Sequence, residues 1–243
     1  MGILSRIFRT ENILYYPGCL TKFVGKEIEE NYREILGKAG VDFIQLKDAE
    51  LCCGSPVLNS GHEKEAKVIA EKNFRLFKEQ GITKIITACP ACYKTFSNDY
   101  PKLVPGWDIK AEHMSVTIAR AIKKGKIKPE ENSLEVTYHD PCHLGRHMKI
   151  YEEPRDIIRS TGAKIREMKL TRENAVCCGG GAGVRSNYPK LAASIGKERI
   201  QMARETGAKV LVTACPMCYF NLKENAHGFE VMELSQIILN KKK

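Results

Sequence analysis

Cys177-Cys178-Gly179-Gly180-Gly181 is one half of a pair, and its twin is Cys52-Cys53-Gly54. Two adjacent cysteines followed by glycine are uncommon, and here both copies carry the same flanks. Cys142 lies upstream of the first and Cys215-Pro216-Met217-Cys218 downstream. Cys19 lies upstream of the twin and Cys89-Pro90-Ala91-Cys92 downstream. Cys19 to Cys142 spans 123 positions, Cys52 to Cys177 spans 125, and Cys89 to Cys215 spans 126. All ten cysteines fall into these two sets of five. The chain therefore reads as a tandem duplication of a five-thiol site.

The segments between the cysteines alternate between strand and helix patterns. In the first half, Ile13–Tyr16 reads as a strand ended by Pro17-Gly18, and Glu27–Lys38 as a helix stopped at Gly40. Val41–Leu46 reads as a second strand, Glu63–Gln80 as a helix and Lys84–Ala88 as a third strand. A short helix is expected from Cys89-Pro90 to before Pro101, then a fourth strand over Asp108–Met114 and a helix over Val116–Lys124. Residues 125–133 read as a linker. The order then repeats, with strands at Leu134–Tyr138, Lys164–Met168, Lys209–Thr213 and Phe229–Met232. Helices are expected at Arg155–Ser160, Pro189–Glu205, after Pro216 and at Ser235–Asn240. His113-Met114-Ser115 and Glu233-Leu234-Ser235 occupy matching places.

This alternation predicts an α/β fold of two tandem pseudo-symmetric halves, 13–124 and 134–243, after an N-terminal extension at 1–12. Each half is expected to be a small, mostly parallel sheet flanked by helices. The cysteine groups follow the strands, which places them at the carboxyl edge, where open α/β sheets bind ligands.

The 243-residue chain is 43% hydrophobic, enough for real cores without disulfides. Its hydrophobic runs are short, so no membrane-spanning segment is expected. Met1–Asn12 has no long apolar run and no small-residue cleavage site, so it does not read as a secretory signal. Arg6 stands where myristoylation needs Ser or Thr. Residues 3–9 read as a short amphipathic turn, with packing on the body as the default. Ten cysteines without such a signal point to a reducing, cytoplasmic setting and to metal or redox chemistry. The formal charge is +10, but Lys and Arg are spread along helix faces and aromatics make up 7%. That is the pattern of a solvated basic surface rather than of nucleic-acid binding.

Zinc and cubane iron–sulfur clusters each take four protein ligands, so five thiols per set exceed both. Adjacent cysteines on an extended strand point to opposite faces, so a sharp turn at Gly54 or Gly179 is needed to bring both to one centre. Such a pair suits an object several atoms wide better than a single ion. In Cys-Pro-x-Cys, Pro90 and Pro216 fit the first helical position and place Cys89 and Cys215 at helix N-caps. Free N–H groups and the positive dipole end there favour thiolates. Gly179-Gly180-Gly181-Ala182-Gly183 resembles a dinucleotide loop only superficially, because two cysteines precede it and no strand leads directly into it.

The order Cys, Cys-Cys-Gly, Cys-Pro-x-Cys, given twice, resembles the cysteine-rich (CCG) domain pair of the heterodisulfide reductase family. The same domain occurs in the iron–sulfur subunits of glycolate oxidase and anaerobic glycerol-3-phosphate dehydrogenase, and in lactate-utilisation proteins. The resemblance runs from Tyr15 to about Leu239 and matches all ten cysteines. It implies one noncubane 4Fe-4S cluster on Cys19, Cys52, Cys53, Cys89 and Cys92. It implies a second on Cys142, Cys177, Cys178, Cys215 and Cys218. It also implies reduction of a disulfide substrate between them, with electrons from a ferredoxin-like iron–sulfur subunit or a flavoprotein dehydrogenase subunit.

The two openings differ: Tyr16-Pro17-Gly18-Cys19-Leu20 against His139-Asp140-Pro141-Cys142-His143. His143 is the candidate catalytic proton donor, since histidine titrates near neutral pH. The bland alternative is a hydrogen bond to a cluster sulfur. His139 and His147 are expected to hold the loop, and Tyr93 and Tyr219 to be core or cluster cover. Three functions remain open. One is disulfide reduction at paired clusters. Another is electron transfer beside a flavin-dependent glycolate, lactate or glycerol-3-phosphate dehydrogenase. The third, of a different class, is a zinc-binding structural module.

Overall fold

The computed structural model describes residues 12–46 and 52–241. The expected amphipathic turn at residues 3–9 lies outside them. The first half contains strands β1 (Ile13–Tyr16), β2 (Lys84–Thr87) and β3 (Lys110–His113). Its helices are α1 (Cys19–Phe23), α2 (Lys26–Lys38), α3 (Ser55–Asn59), α4 (Glu63–Glu79), α5 (Pro90–Lys94), α6 (Tyr100–Leu103) and α7 (Met114–Lys123). The second half contains β4 (Glu135–His139), β5 (Lys164–Ile165), β6 (Val210–Thr213) and β7 (Glu230–Glu233). Its helices are α8 (Glu152–Ser160), α9 (Val184–Asn187), α10 (Pro189–Arg204), α11 (Pro216–Glu224) and α12 (Leu234–Ile238).

Both sheets are parallel, as the alternation of elements predicts. The first runs β1-β2-β3 and the second β5-β4-β6-β7. Their registers correspond: Tyr16, Thr87 and His113 align across one sheet as His139, Thr213 and Glu233 align across the other. Val210–Thr213 is buried at every residue, as a strand covered on both faces requires.

One edge of each sheet differs from the sequence expectation. Val41–Leu46 forms no strand and joins the sheet by a single bridge between Ile44 and Leu14. The Tyr15 N–H to Ile44 carbonyl (2.9 Å) and Ile44 N–H to Ile13 carbonyl (2.7 Å) bonds make that bridge. Its counterpart β5 keeps two residues of the five expected. The Arg166 N–H still donates to the Val136 carbonyl at 2.8 Å, and beyond it the chain is held by side chains: Arg155 donates to Glu167 at 2.6 Å and to Thr171 at 2.7 Å. The helical run after Cys89 passes Pro101, because a π-helical turn at Thr95–Asp99 lets α6 restart with the proline in its first turn.

The halves share their main core. Tyr15, Tyr32, Ile35 and Met114 of the first pack in one cluster with Val136, Ile157, Val212 and Leu234 of the second. Leu14 and Tyr16, on the opposite face of β1, enter a separate cluster with Phe77, Ile85, Phe96 and Tyr100. Helix α2 packs on α12 and α7 packs on α8, which makes the junction pseudo-symmetric. The matching segments noted in the sequence are helix caps. His113 Nδ1 accepts from the Ser115 N–H, and the Glu233 carboxylate accepts from the Ser235 N–H at 2.7 Å. Across the junction, the Tyr32 hydroxyl donates to Glu233 at 2.6 Å. Burial pushes the Glu233 carboxyl up and holds the His113 imidazole down at about 4. Among the described residues no helix is long and apolar enough to cross a membrane.

Candidate metal centres

The thiols follow β1, the Ile44 bridge and β2 in the first half, and β4, β5 and β6 in the second, all beyond the carboxyl ends. None is disulfide-bonded. In the first set a chain of sulfur contacts runs Cys19–Cys52–Cys53–Cys92–Cys89. In the second it runs Cys142–Cys177–Cys178–Cys218, with Cys215 beside Cys218. Each quintet thus gathers in one place, as the spacing predicts. The second sulfur of each chain is driven down: Cys52 by the thiol of Cys19 and then by Cys53, and Cys177 by Cys142 and then by Cys178. Cys19 and Cys142 are driven up correspondingly, each by its contact with that same neighbour.

Backbone N–H groups converge on the same sulfurs. Gly54 N–H points at Cys52 Sγ (3.5 Å), Gly179 N–H at Cys177 Sγ (3.4 Å) and Gly180 N–H at Cys178 Sγ (3.4 Å). The turns that allow this need glycine: Gly54 has φ +79° and Gly179 φ +83°. A Cβ on Gly179 would also lie 2.9 Å from both the Ala192 carbonyl oxygen and Ile195 Cβ. Cys89 and Cys215 cap α5 and α11, with Pro90 and Pro216 in the first turn. The Cys92 thiol, with the amides of Cys92 and Ala91, lowers the Cys89 thiol to about 7. Two asparagines hold the Cys-Cys turns. Asn73 donates to the Cys52 carbonyl at 3.0 Å and Asn221 to the Cys178 carbonyl at 2.7 Å.

The quintets share one edge of the molecule. Helix α5, which begins at the first Cys-Pro, packs on the π-helical turn His143–His147 that follows Cys142. Reciprocally, α11 packs on α1, which begins at Cys19. His143 sits on the first of these contacts, its Nδ1 3.4 Å from Cys142 Sγ and its ring 5.0 Å from that of His147. Burial, then His147 and Lys94 of the first half, lowers its imidazole. His139 is fully buried against Arg199 rather than holding the loop. Tyr219 is buried and accepts from Lys223 Nζ at 2.8 Å, while Tyr93 is half-buried.

Several positioning residues escaped the sequence reading. Asp140 and Arg155 form a buried pair at 2.7 Å, and Asp140 also accepts from the Arg172 N–H at 2.9 Å. Together they anchor the loop between β4 and Cys142. Arg199 is the other. Its signal was its spacing, for it lies on the buried stripe of α10 with Ala192, Gly196 and Ala203.

Closely packed thiols, aimed amides and sharp glycine turns fit an anionic polynuclear centre. A dry tetrahedral ion would leave one thiol of each set idle. Similarity to known proteins agrees with this chemistry. The chain is 36% identical over 236 residues to one component of the dihydromethanophenazine:CoB–CoM heterodisulfide reductase of Methanosarcina acetivorans, covering 94% of this chain and 58% of that one. It is 30% identical to the EtfAB:quinone oxidoreductase of Syntrophomonas wolfei, over 92% of this chain and 32% of that one. It is also 30% identical to the probable iron-sulfur-binding oxidoreductase FadF of Bacillus subtilis, over 89% of this chain and 31% of that one. The chain thus spans little more than half the length of the first of these relatives and about a third of the others. The cysteine-rich domain model matches twice, over residues 13–97 and 136–223, once around each quintet. The chain therefore belongs to the cysteine-rich CCG domain family of iron–sulfur oxidoreductases.

Proposed function

We propose that the chain is a heterodisulfide-reductase-like iron–sulfur subunit in which each half, 13–124 and 134–243, holds one noncubane 4Fe-4S cluster. Cys19, Cys52, Cys53, Cys89 and Cys92 would hold the first, and Cys142, Cys177, Cys178, Cys215 and Cys218 the second. The observation that carries this reading is the gathering of five sulfurs, with aimed amides, in both halves on one shared edge. When bound, such centres supply single electrons and iron sites able to hold a sulfur. Cleaving a disulfide takes two electrons and two protons and yields two thiols, so paired centres match the electron count. His143, whose Nδ1 lies 3.4 Å from Cys142 Sγ, would deliver a proton to a departing thiolate. Electrons would come from a ferredoxin-like iron–sulfur subunit or a flavoprotein subunit in a cytoplasmic complex.

The test is anoxic: reduced viologen is oxidised by the purified chain only when a mixed disulfide such as the CoB–CoM heterodisulfide is added. His143→Gln is expected to slow this turnover at every pH measured. Unchanged turnover would remove His143 from the mechanism, and no disulfide-dependent oxidation would remove the reaction. Similarity to the EtfAB:quinone oxidoreductase, which acts on a quinone rather than a disulfide, favours a second reading, electron transfer beside a flavin dehydrogenase. Co-purification of a flavoprotein that oxidises a hydroxy acid would support that reading instead.

A further inference from the structure

His139 ends β4, three positions before Cys142, and is fully buried. Its Nδ1 accepts a hydrogen bond from Arg199 Nε at 3.1 Å. A guanidinium can only donate, so this nitrogen carries no hydrogen and the imidazole is neutral. A neutral imidazole that accepts at Nδ1 carries its hydrogen on Nε2. That Nε2 is buried and has no hydrogen-bond partner in the protein. One ring nitrogen and the sulfurs of Cys178 and Cys218 lie within 4.8 Å of one another.

A nitrogen beside two thiols has two possible roles, ligand or donor. A ligating histidine bonds through a lone pair and donates its other N–H to an acceptor. Here Nδ1 faces a donor, so its lone pair is taken, and Nε2 carries the hydrogen and has no lone pair to give. We infer that His139 Nε2–H hydrogen-bonds a sulfur of the second centre and, with Arg199 setting its tautomer, raises the reduction potential of that centre. Hydrogen bonds to cluster sulfurs and nearby positive charge both stabilise the more negative, reduced state. Arg199 is a positioning residue, itself held by its Nη1 donating to the Leu170 carbonyl at 3.0 Å. The first half has no such pair among the described residues. The β1 position in register with His139 is Tyr16. Ala66 and Ile69 approach Gly54 as Ala192 and Ile195 approach Gly179, and the same spacing places Asn73 where Arg199 stands. The inference rests on the reading that the second quintet holds an iron–sulfur centre.

The test is a potentiometric titration, followed by electron paramagnetic resonance, of the anoxically purified full chain and two variants, with iron assayed first. His139→Phe is expected to lower the reduced-to-oxidised ratio of the second centre at least tenfold at fixed poise, which is 59 mV for a one-electron couple. The first centre should not move. His139→Gln, whose amide still donates, should recover most of the shift. Iron present with an unmoved potential in His139→Phe overturns the inference alone. A wild-type chain without iron overturns the reading beneath it as well. Should His139→Phe fail to fold, pulsed resonance on a His143→Gln chain carrying 15N-histidine decides the matter, because His143 lies beside Cys142 of the same centre. A weak nitrogen coupling with an exchangeable proton supports the inference, and the strong coupling of a bound nitrogen overturns it.

Discussion

The two halves are built alike and differ in what surrounds their sulfurs. Both run three cysteine groups off the carboxyl ends of a parallel sheet, and both cap the Cys-Pro helix with a thiol. The first half ends its leading strand in a tyrosine and holds its Cys-Cys turn with Asn73. The second ends it in a histidine fastened to a buried arginine, and ties its loop with the Asp140–Arg155 pair. The five cysteines and their glycine turns are repeated in both halves, while the buried polar residues around them differ. Those residues can then give two similar centres different electrostatics.

The largest effect should come from removing one ligand in each half. Cys53→Ser and Cys178→Ser are each expected to abolish one centre and leave the other, so iron per chain falls by about half in both. Loss of all iron in either variant would show the centres are not independent. Glycine substitutions should separate the halves next. Gly179→Ala adds a Cβ 2.9 Å from a carbonyl oxygen and from Ile195 Cβ, at a positive φ. It should cost roughly 3 kcal/mol or more in urea unfolding, from strain and overpacking together. Gly54→Ala meets nothing nearer than 3.4 Å. It should cost only about 1–2 kcal/mol, from the left-handed backbone.

The helix caps predict a pH effect. His113 titrates near 6.5 unfolded and about 4 folded. Between those values the unfolded chain binds the extra proton, so stability is present above pH 6.5 and is lost as pH falls toward 4. The slope from one such group is at most ~1.4 kcal/mol per pH unit. His113→Asn should flatten it, as read by urea unfolding at about pH 7 and about pH 5. Glu233, the matching cap, has the opposite sign: its raised carboxyl makes stability fall as pH rises from the unfolded value of 4.5 through the folded one. An unchanged acid slope in His113→Asn would break the comparison. The smallest effect belongs to Lys94, which grips both Asp99 oxygens at 2.9 and 2.8 Å across the π-helical turn of the first half. The second half runs α11 straight through Pro216–Glu224. Lys94→Gln should cost under ~1 kcal/mol and leave iron content unchanged.

Much of this was legible because the chemistry demands particular residues. A polynuclear sulfur site needs several thiols, sharp glycine turns and helix starts, and each of these leaves a local mark such as Cys52-Cys53-Gly54 or Cys215-Pro216. Strands β1, β2, β4 and β6 were legible from their apolar runs. Edge strands β3 and β7 were legible too, but the opposite edges were not: beyond Arg166 the chain is held by Arg155 through Glu167 and Thr171, and no local pattern records that contact. The junction was hidden for a related reason: Tyr32 and Glu233 meet across 201 positions of chain. Arg199 was not singled out, because net charge says nothing about burial. Its position on the stripe of Ala192, Gly196 and Ala203 was the available sign.

Metal analysis of the anoxically prepared wild-type chain tests the central claim most directly. Two four-iron centres predict about eight iron and a matching amount of acid-labile sulfide per chain, with no stoichiometric zinc. A colourless chain with about two zinc ions and no sulfide would contradict it.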